Sequence, residues 1–145
     1  MITLERATQF EPIFKIFSDV SSDIADFKEE AIPAILSRIM TAESYLISAD
    51  GNPICVCWIR KLEEDTAILG FIYSNEFMKN QGKGITYVLR DKLRERAAEF
   101  KKFQIHSLLS HAKSRSWYGS MGFNDTGRTY NDGQGNVITV FERIN

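Results

Sequence analysis

Two cysteines, three prolines and two histidines are spread through 145 residues, and each scarcity removes a class of explanation. Cys55 and Cys57 stand two apart on a strand-like run, so both point the same way. That geometry suits a core face better than a disulfide, and a metal site would need further ligands nearby. No metal is expected. No run approaches the roughly 20 apolar residues of a transmembrane helix. The opening Met1-Ile2-Thr3-Leu4-Glu5-Arg6 lacks the charged-then-apolar layout of a signal peptide. A reduced, cytoplasmic protein is the expectation. Charge of one sign is missing too: 18 basic against 19 acidic residues leave a net −1. Nucleic acid and anionic membrane are therefore not expected partners. No repeat, low-complexity segment or linker breaks the chain, which predicts one domain over residues 1–145 with a single substantial core.

What is present reads as alternating short elements. Ile2 to Ala7 is a predicted strand, and Thr8-x-x-Glu11 is a capping box opening a helix with Phe10, Ile13, Phe14, Phe17 and Val20 on its apolar face. Asp26-x-x-Glu29 opens a second helix that buries Ile32, Ile35, Leu36 and Ile39. Strands Ser44–Ala49 and Ile54–Arg60 are joined at Asp50-Gly51, a strong hairpin signal. An acidic turn at Glu63-Glu64-Asp65 leads to the strand Thr66–Tyr73. A helix from Ile85 to Phe100 follows, its charged side a solvated face. Then come a strand Lys102–Leu109, a short helix His111–Met121, and two strands around the glycine-rich loop Asp132–Asn136. The order β-α-α-β-β-β-α-β-α-β-β predicts an α/β (α+β) fold with a mixed, mostly antiparallel sheet of six or seven strands and about four helices.

Between a predicted strand and a predicted helix stands Gln81-Gly82-Lys83-Gly84-Ile85-Thr86. A glycine turn feeding a helix N-terminus is an anion site: unpaired N–H groups point outward and the helix dipole favours negative charge. The spacing is neither that of a nucleoside triphosphate loop nor that of a dinucleotide loop. A tight entry turn with no ligand explains the same glycines equally well.

In that order of elements, the glycine loop resembles the acetyl-CoA site of the GCN5-related N-acetyltransferases, the GNAT superfamily. Gln81-x-x-Gly84-x-Thr86 follows the Q/R-x-x-G-x-G/A fingerprint, with Thr86 in place of Gly or Ala. Trp117-Tyr118-Gly119-Ser120-Met121-Gly122-Phe123 resembles the family's aromatic-Tyr-x-x-x-Gly-Phe element, and Ala49-Asp50-Gly51 falls where the family joins strands two and three. His111 and Ser114 stand where the family usually has Asn and Ala, and Ser120 where it often has a basic residue. The segment Ser74–Asn80 is longer than the usual connection.

The resemblance implies the acyl-CoA N-acyltransferase fold and acetyl transfer from acetyl-CoA to a primary amine by direct attack in a ternary complex. Gln81, Gly82, Lys83, Gly84, Ile85, Thr86 and Ser114 are the implied coenzyme-binding residues. Lys83 reads equally as a surface lysine. Tyr118 is the implied general acid, its pKa near ~10 suiting a departing thiolate. A core tyrosine is the alternative. His111 and Glu76 are the candidate bases, against a helix cap and a solvated loop glutamate. His106, within a strand, reads as structural. Asp19, Asp23, Asp26, Glu29 and Glu30 either rim an acceptor cleft that attracts a cationic amine or complement a helix start. The implied acceptor is a small-molecule or protein amine, and a homodimer is compatible with the reading. The alternative function is a GNAT-fold coenzyme-binding or regulatory module that has lost transfer activity and works through a protein partner.

Overall fold

The computed structural model describes residues 1–20, 32–73, 77, 84–108, 117–133 and 135–145. Seven strands form one mixed sheet, with elements in the order β1 (Ile2–Arg6), α1 (Phe10–Val20), α2 (Ile32–Thr41), β2 (Glu43–Ala49), β3 (Asn52–Glu63), β4 (Thr66–Tyr73), α3 (Ile85–Arg96), β5 (Lys102–Leu108), β6 (Asn124–Asn131) and β7 (Val137–Ile144). A helical turn at 117–120 precedes β6. The strand order is β1-β2-β3-β4-β5-β7-β6. Pairing is antiparallel for β1–β2, β2–β3, β5–β7 and β6–β7 and parallel for β4–β5. Among the described residues no helix is long and apolar enough to cross a membrane.

Contacts divide the chain into two compact units, Met1–Ile59 with Phe71–Val88 and Arg60–Gly70 with Leu89–Asn145. In the first, Ile13, Ile16, Ile39, Val56 and Ile72 form a core flanked by Ala7, Leu36, Leu46 and Trp58. Each fully buried side chain of this size contributes about 1.5–3 kcal/mol by leaving water. The expected apolar face of α1 is turned from its predicted axis. Ile13 and Ile16 are fully buried, whereas Phe10 and Phe14 are 46% and 51% exposed and stack on each other at 5.7 Å. The stripe centres on the isoleucines, which leaves the two phenylalanines at its edge. The side chains of Phe17, Val20, Ile32 and Ile35 and the capping box at Asp26 lie outside the described residues. The β2–β3 hairpin forms at Asp50 and Gly51, both with positive φ (50° and 84°), as a two-residue turn between Ala49 and Asn52 requires. Cys55 and Cys57 are buried free thiols in β3, and burial next to Cys57 pushes the Cys55 thiol well up, away from the reactive thiolate.

The second unit holds β5, β6 and β7 with Phe103, Ile105, Phe123 and Phe141 buried. β3 runs longer than the predicted Ile54–Arg60, and α3 ends at Arg96, four residues before the predicted Phe100, with a turn at 97–99. On the charged side of α3, Lys92 pairs with Glu95 at 3.1 Å and Arg96 with Glu99 at 2.6 Å; these two basic side chains are only 20% and 24% exposed, so the face expected to be solvated is partly covered.

Candidate active site

Tyr118 sits in the helical turn at 117–120, and the local sequence dictates how that turn ends. The Phe123 N–H donates to the Tyr118 carbonyl at 3.1 Å, and the Gly122 N–H donates to the Gly119 carbonyl at 3.0 Å. These six-to-one and five-to-two bonds are a Schellman cap, with Tyr118 three residues before the cap, Gly122 in the left-handed position and Phe123 beyond it. Gly122 has φ +90°, which an L side chain rarely adopts. The Tyr-x-x-x-Gly-Phe spacing is thus a helix stop that fixes where the tyrosine points. Arg143, from β7, reinforces it: its Nη1 donates to the Met121 carbonyl at 2.9 Å, a cation at a helix C-terminus.

So held, Tyr118 is 7% exposed. Its ring meets Phe141 edge-on at 5.1 Å, and its hydroxyl donates to Ser107 Oγ at 3.3 Å. Ser107 is itself buried in β5, opposite Thr139 of β7. The phenol therefore lies against one face of β5 near that strand's C-terminal end. The β4–β5 ladder covers only Thr66–Ile68 against Lys102–Gln104. Among the described residues, β5 from Ile105 onward is paired through β7 alone. Ser120, at the position where the resembled family often has a basic residue, donates its hydroxyl to the Trp117 carbonyl at 2.6 Å and so serves the turn.

Gly84, Ile85 and Thr86 open α3. The Val88 N–H donates to the Gly84 carbonyl at 3.2 Å, which makes Gly84 the N-cap residue. A glycine there supplies no side-chain oxygen, so the N–H groups of Thr86 and Tyr87 receive no cap from it. Its φ is +101°, and among the described residues a Cβ built on it would meet no atom within 4 Å. Ile85 is fully buried and anchors the first turn, while Thr86 is half-buried. A pyrophosphate fits such an end: outward donors, the positive end of the dipole, and open space beside the backbone.

Of the other residues singled out from the sequence, Glu76, Gln81, Gly82, Lys83, His111 and Ser114 lie outside the described residues, as do Asp23, Asp26, Glu29 and Glu30. Gly84, Ile85 and Thr86 share one helix start in the first unit; Tyr118 belongs to the second. Ser107 and Arg143, which hold the tyrosine and its turn, carried no sequence signal, since each acts across 11 and 22 residues of chain respectively.

A second polar group lies on the other face of β5. His106 Nδ1 is 2.7 Å from the Tyr130 hydroxyl, and His106 Nε2 is 2.9 Å from Gln104 Oε1. Gln104 Nε2 donates to Glu142 Oε2 at 3.0 Å, and Arg128 Nη2 reaches the same oxygen at 3.3 Å. Burial first, then Arg128 and Arg60, holds the His106 pKa below its ordinary value. The histidine expected to be a plain strand residue is the centre of this chain of hydrogen bonds.

No protein-family model and no curated protein matches the sequence. Solved structures do. An acetyltransferase from Salmonella typhimurium that modifies the N-terminal serine of a 50S ribosomal subunit protein superposes with a TM-score of 0.75 at 16% identity, covering 99% of this chain and 95% of that one. The ribosomal-protein-S18-alanine N-acetyltransferase from Escherichia coli gives 0.69 at 13% identity, covering 99% and 94%. The microcin C7 self-immunity acetyltransferase MccE, in complex with acetyl-CoA and AMP, gives 0.75 at 16% identity, covering 99% and 92%. At these identities the likeness is one of fold. This chain folds as the GCN5-related N-acetyltransferases do, with the acyl-CoA N-acyltransferase architecture.

Proposed function

We propose that this protein is an acetyl-CoA-dependent N-acetyltransferase that transfers the acetyl group directly to a primary amine, with Tyr118 as general acid. The observation that carries the reading is the buried Tyr118 hydroxyl, fixed by a Schellman cap and by Ser107 at the end of β5 where the β4 ladder has stopped. The open N-cap at Gly84 supports a coenzyme pyrophosphate site, with the backbone N–H groups of Ile85 and Thr86 as donors. Gln81, Gly82, Lys83 and Ser114 join that site on the sequence argument alone, and Glu76 and His111 stand as candidate bases on the same footing.

The chemistry runs as follows. The amine nitrogen attacks the thioester carbonyl carbon and forms the C–N bond. The tetrahedral oxyanion collapses, the C–S bond breaks, the phenolic proton of Tyr118 passes to the leaving sulfur, and the proton shed by the acylated nitrogen restores the phenol. Cys55, buried with its pKa raised, is unsuited to a covalent acetyl-enzyme, which supports direct attack. The acceptor in this reading is a small-molecule or protein amine; a neighbour that modifies an N-terminal serine of a ribosomal protein supports the protein case.

Tyr118→Phe tests the assignment. Thiol release from acetyl-CoA in the presence of amine acceptors should fall about 10²-fold or more in kcat. The thermal stabilisation given by acetyl-CoA should be retained. Unchanged kcat would remove Tyr118 from the mechanism.

A further inference from the structure

Adjacent residues on a strand face opposite ways, so Ser107 and His106 put two different side-chain groups on the two faces of β5 at the same point along it. Ser107 carries the Tyr118 hydroxyl. His106 carries Tyr130. Amine attack on a thioester makes the mirror demand: one proton must be delivered to sulfur and another withdrawn from nitrogen, on different sides of one tetrahedral carbon.

The directions of the hydrogen bonds on the His106 face follow from one ion. Glu142, paired with Arg128, is a carboxylate and only accepts, so the amide nitrogen of Gln104 must be the atom beside it. That turns Gln104 Oε1, also a pure acceptor, toward His106 Nε2 at 2.9 Å. His106 Nε2 therefore carries the proton. In a neutral imidazole Nδ1 is then bare, and the Tyr130 hydroxyl donates to it across 2.7 Å. The inner end of this chain is anchored: Gln104 is 9% exposed. Its outer end, Tyr130, is 44% exposed and meets the imidazole edge-on at 5.6 Å. A group whose inner contacts are satisfied and whose outer hydroxyl faces out can pass a proton inward.

We infer that Tyr130 and His106 form the base relay of the transfer: the Tyr130 oxygen takes a proton from the acceptor amine while its own proton moves to His106 Nδ1. The bookkeeping balances. The amine N–H bond breaks, a new Tyr130 O–H bond replaces the one given up, and His106 becomes an imidazolium that later loses its proton to water. The nitrogen lone pair so released forms the C–N bond, the departing sulfur takes its proton from Tyr118 on the opposite face, and the Tyr118 oxygen regains one from the second N–H that the nitrogen sheds as the tetrahedral intermediate collapses. The charged and titratable groups around the relay are Arg60 from β3, Arg128 from β6, Asp132 just after β6, and Glu142 from β7. Burial, and after it Arg128 and Arg60, favours the neutral imidazole, which is the form able to accept. The inference rests on the acetyltransferase reading and replaces Glu76 and His111 as the base.

Two variants and one spectrum test it. Acetylation would be followed by thiol release with peptides bearing N-terminal serine or alanine and with spermidine. His106→Gln and Tyr130→Phe should each lower kcat/KM at pH 7 by about 10²-fold. The deficit should shrink as the pH approaches the acceptor's own pKa, because the amine then arrives already deprotonated. Stabilisation by acetyl-CoA should be unchanged in both. In the nitrogen spectrum of the intact protein, His106 should show a protonated Nε2 and a bare Nδ1, with or without an acceptor. A protonated Nδ1 would overturn the relay, as would variants within twofold of the parent or a loss of rate with an unaltered pH profile. A parent protein with neither turnover nor stabilisation by acetyl-CoA would instead bring down the acetyltransferase reading itself.

Discussion

Two glycines with the same strained backbone sit in opposite surroundings. Gly122 (φ +90°) ends the Tyr118 turn, and a Cβ placed on it would touch Arg143 Cδ at 3.7 Å and Nε at 3.8 Å. Gly84 (φ +101°) begins α3, and among the described residues a Cβ there would meet nothing within 4 Å. At the first, the backbone donors and carbonyls are consumed by the protein itself: Gly119, Tyr118 and Met121 carbonyls all have partners. At the second, the N-cap has no side chain and the first-turn N–H groups point past it. The difference separates a glycine kept for shape from one whose site has room for a ligand. It also agrees with the proposed partition of roles, with the chemistry on the closed turn and the coenzyme on the open one.

Substitution should split the pair. The largest effect is expected from Gly122→Ala, where the unfavourable φ costs about 1–3 kcal/mol. A Cβ there makes only ordinary contact with Arg143, so the strain falls on the cap itself, and thermal stability and kcat should fall together as Tyr118 loses its fixed place. The stabilisation added by acetyl-CoA should survive. Gly84→Ala carries a similar backbone strain but breaks no Schellman cap, so its stability loss should be the smaller. Its signature is different: the increment contributed by acetyl-CoA should be reduced most of all. Equal losses of that increment in the two variants would erase the distinction. Arg143→Met leaves the Schellman bonds in place and removes one charged donor from the Met121 carbonyl, for an expected loss of about 1 kcal/mol measured by denaturant unfolding.

The smallest effect is one of pH. Because burial depresses the His106 pKa in the folded chain, the unfolded chain binds this proton more readily. Its contribution to stability should be full above the unfolded value and fade as the pH falls toward the folded one. His106→Gln should flatten that acid limb, and an unchanged limb would show that other groups set it.

The two turns were unequally legible in the sequence. The Tyr118–Phe123 element could be read because a Schellman cap is local: six residues, one glycine and an apolar residue after it carry the whole geometry. The Asp50-Gly51 hairpin was legible for the same reason. Gly84 was legible only as a choice between anion site and entry turn, since open space beside a backbone is not written in a motif. The axis of α1 was misread because a period of 3.6 marks a stripe without its centre, and Ile16 falls between the phenylalanines that suggested it. Ser107, Arg143 and the His106–Tyr130 pair were beyond reach. Their meaning comes from the register that sets Gln104 opposite Glu142 and Ser107 opposite Thr139. No local pattern announces which residues a β-sheet will place side by side.

Thermal unfolding of the intact protein with and without acetyl-CoA is the most direct test of the central claim, that the open end of α3 holds the coenzyme for an acyl transfer. At one hundred times its Kd the ligand should add about 2.7 kcal/mol of stability to the parent protein, and much less to Gly84→Ala. No stabilisation at millimolar acetyl-CoA, or an equal one in both proteins, would contradict it.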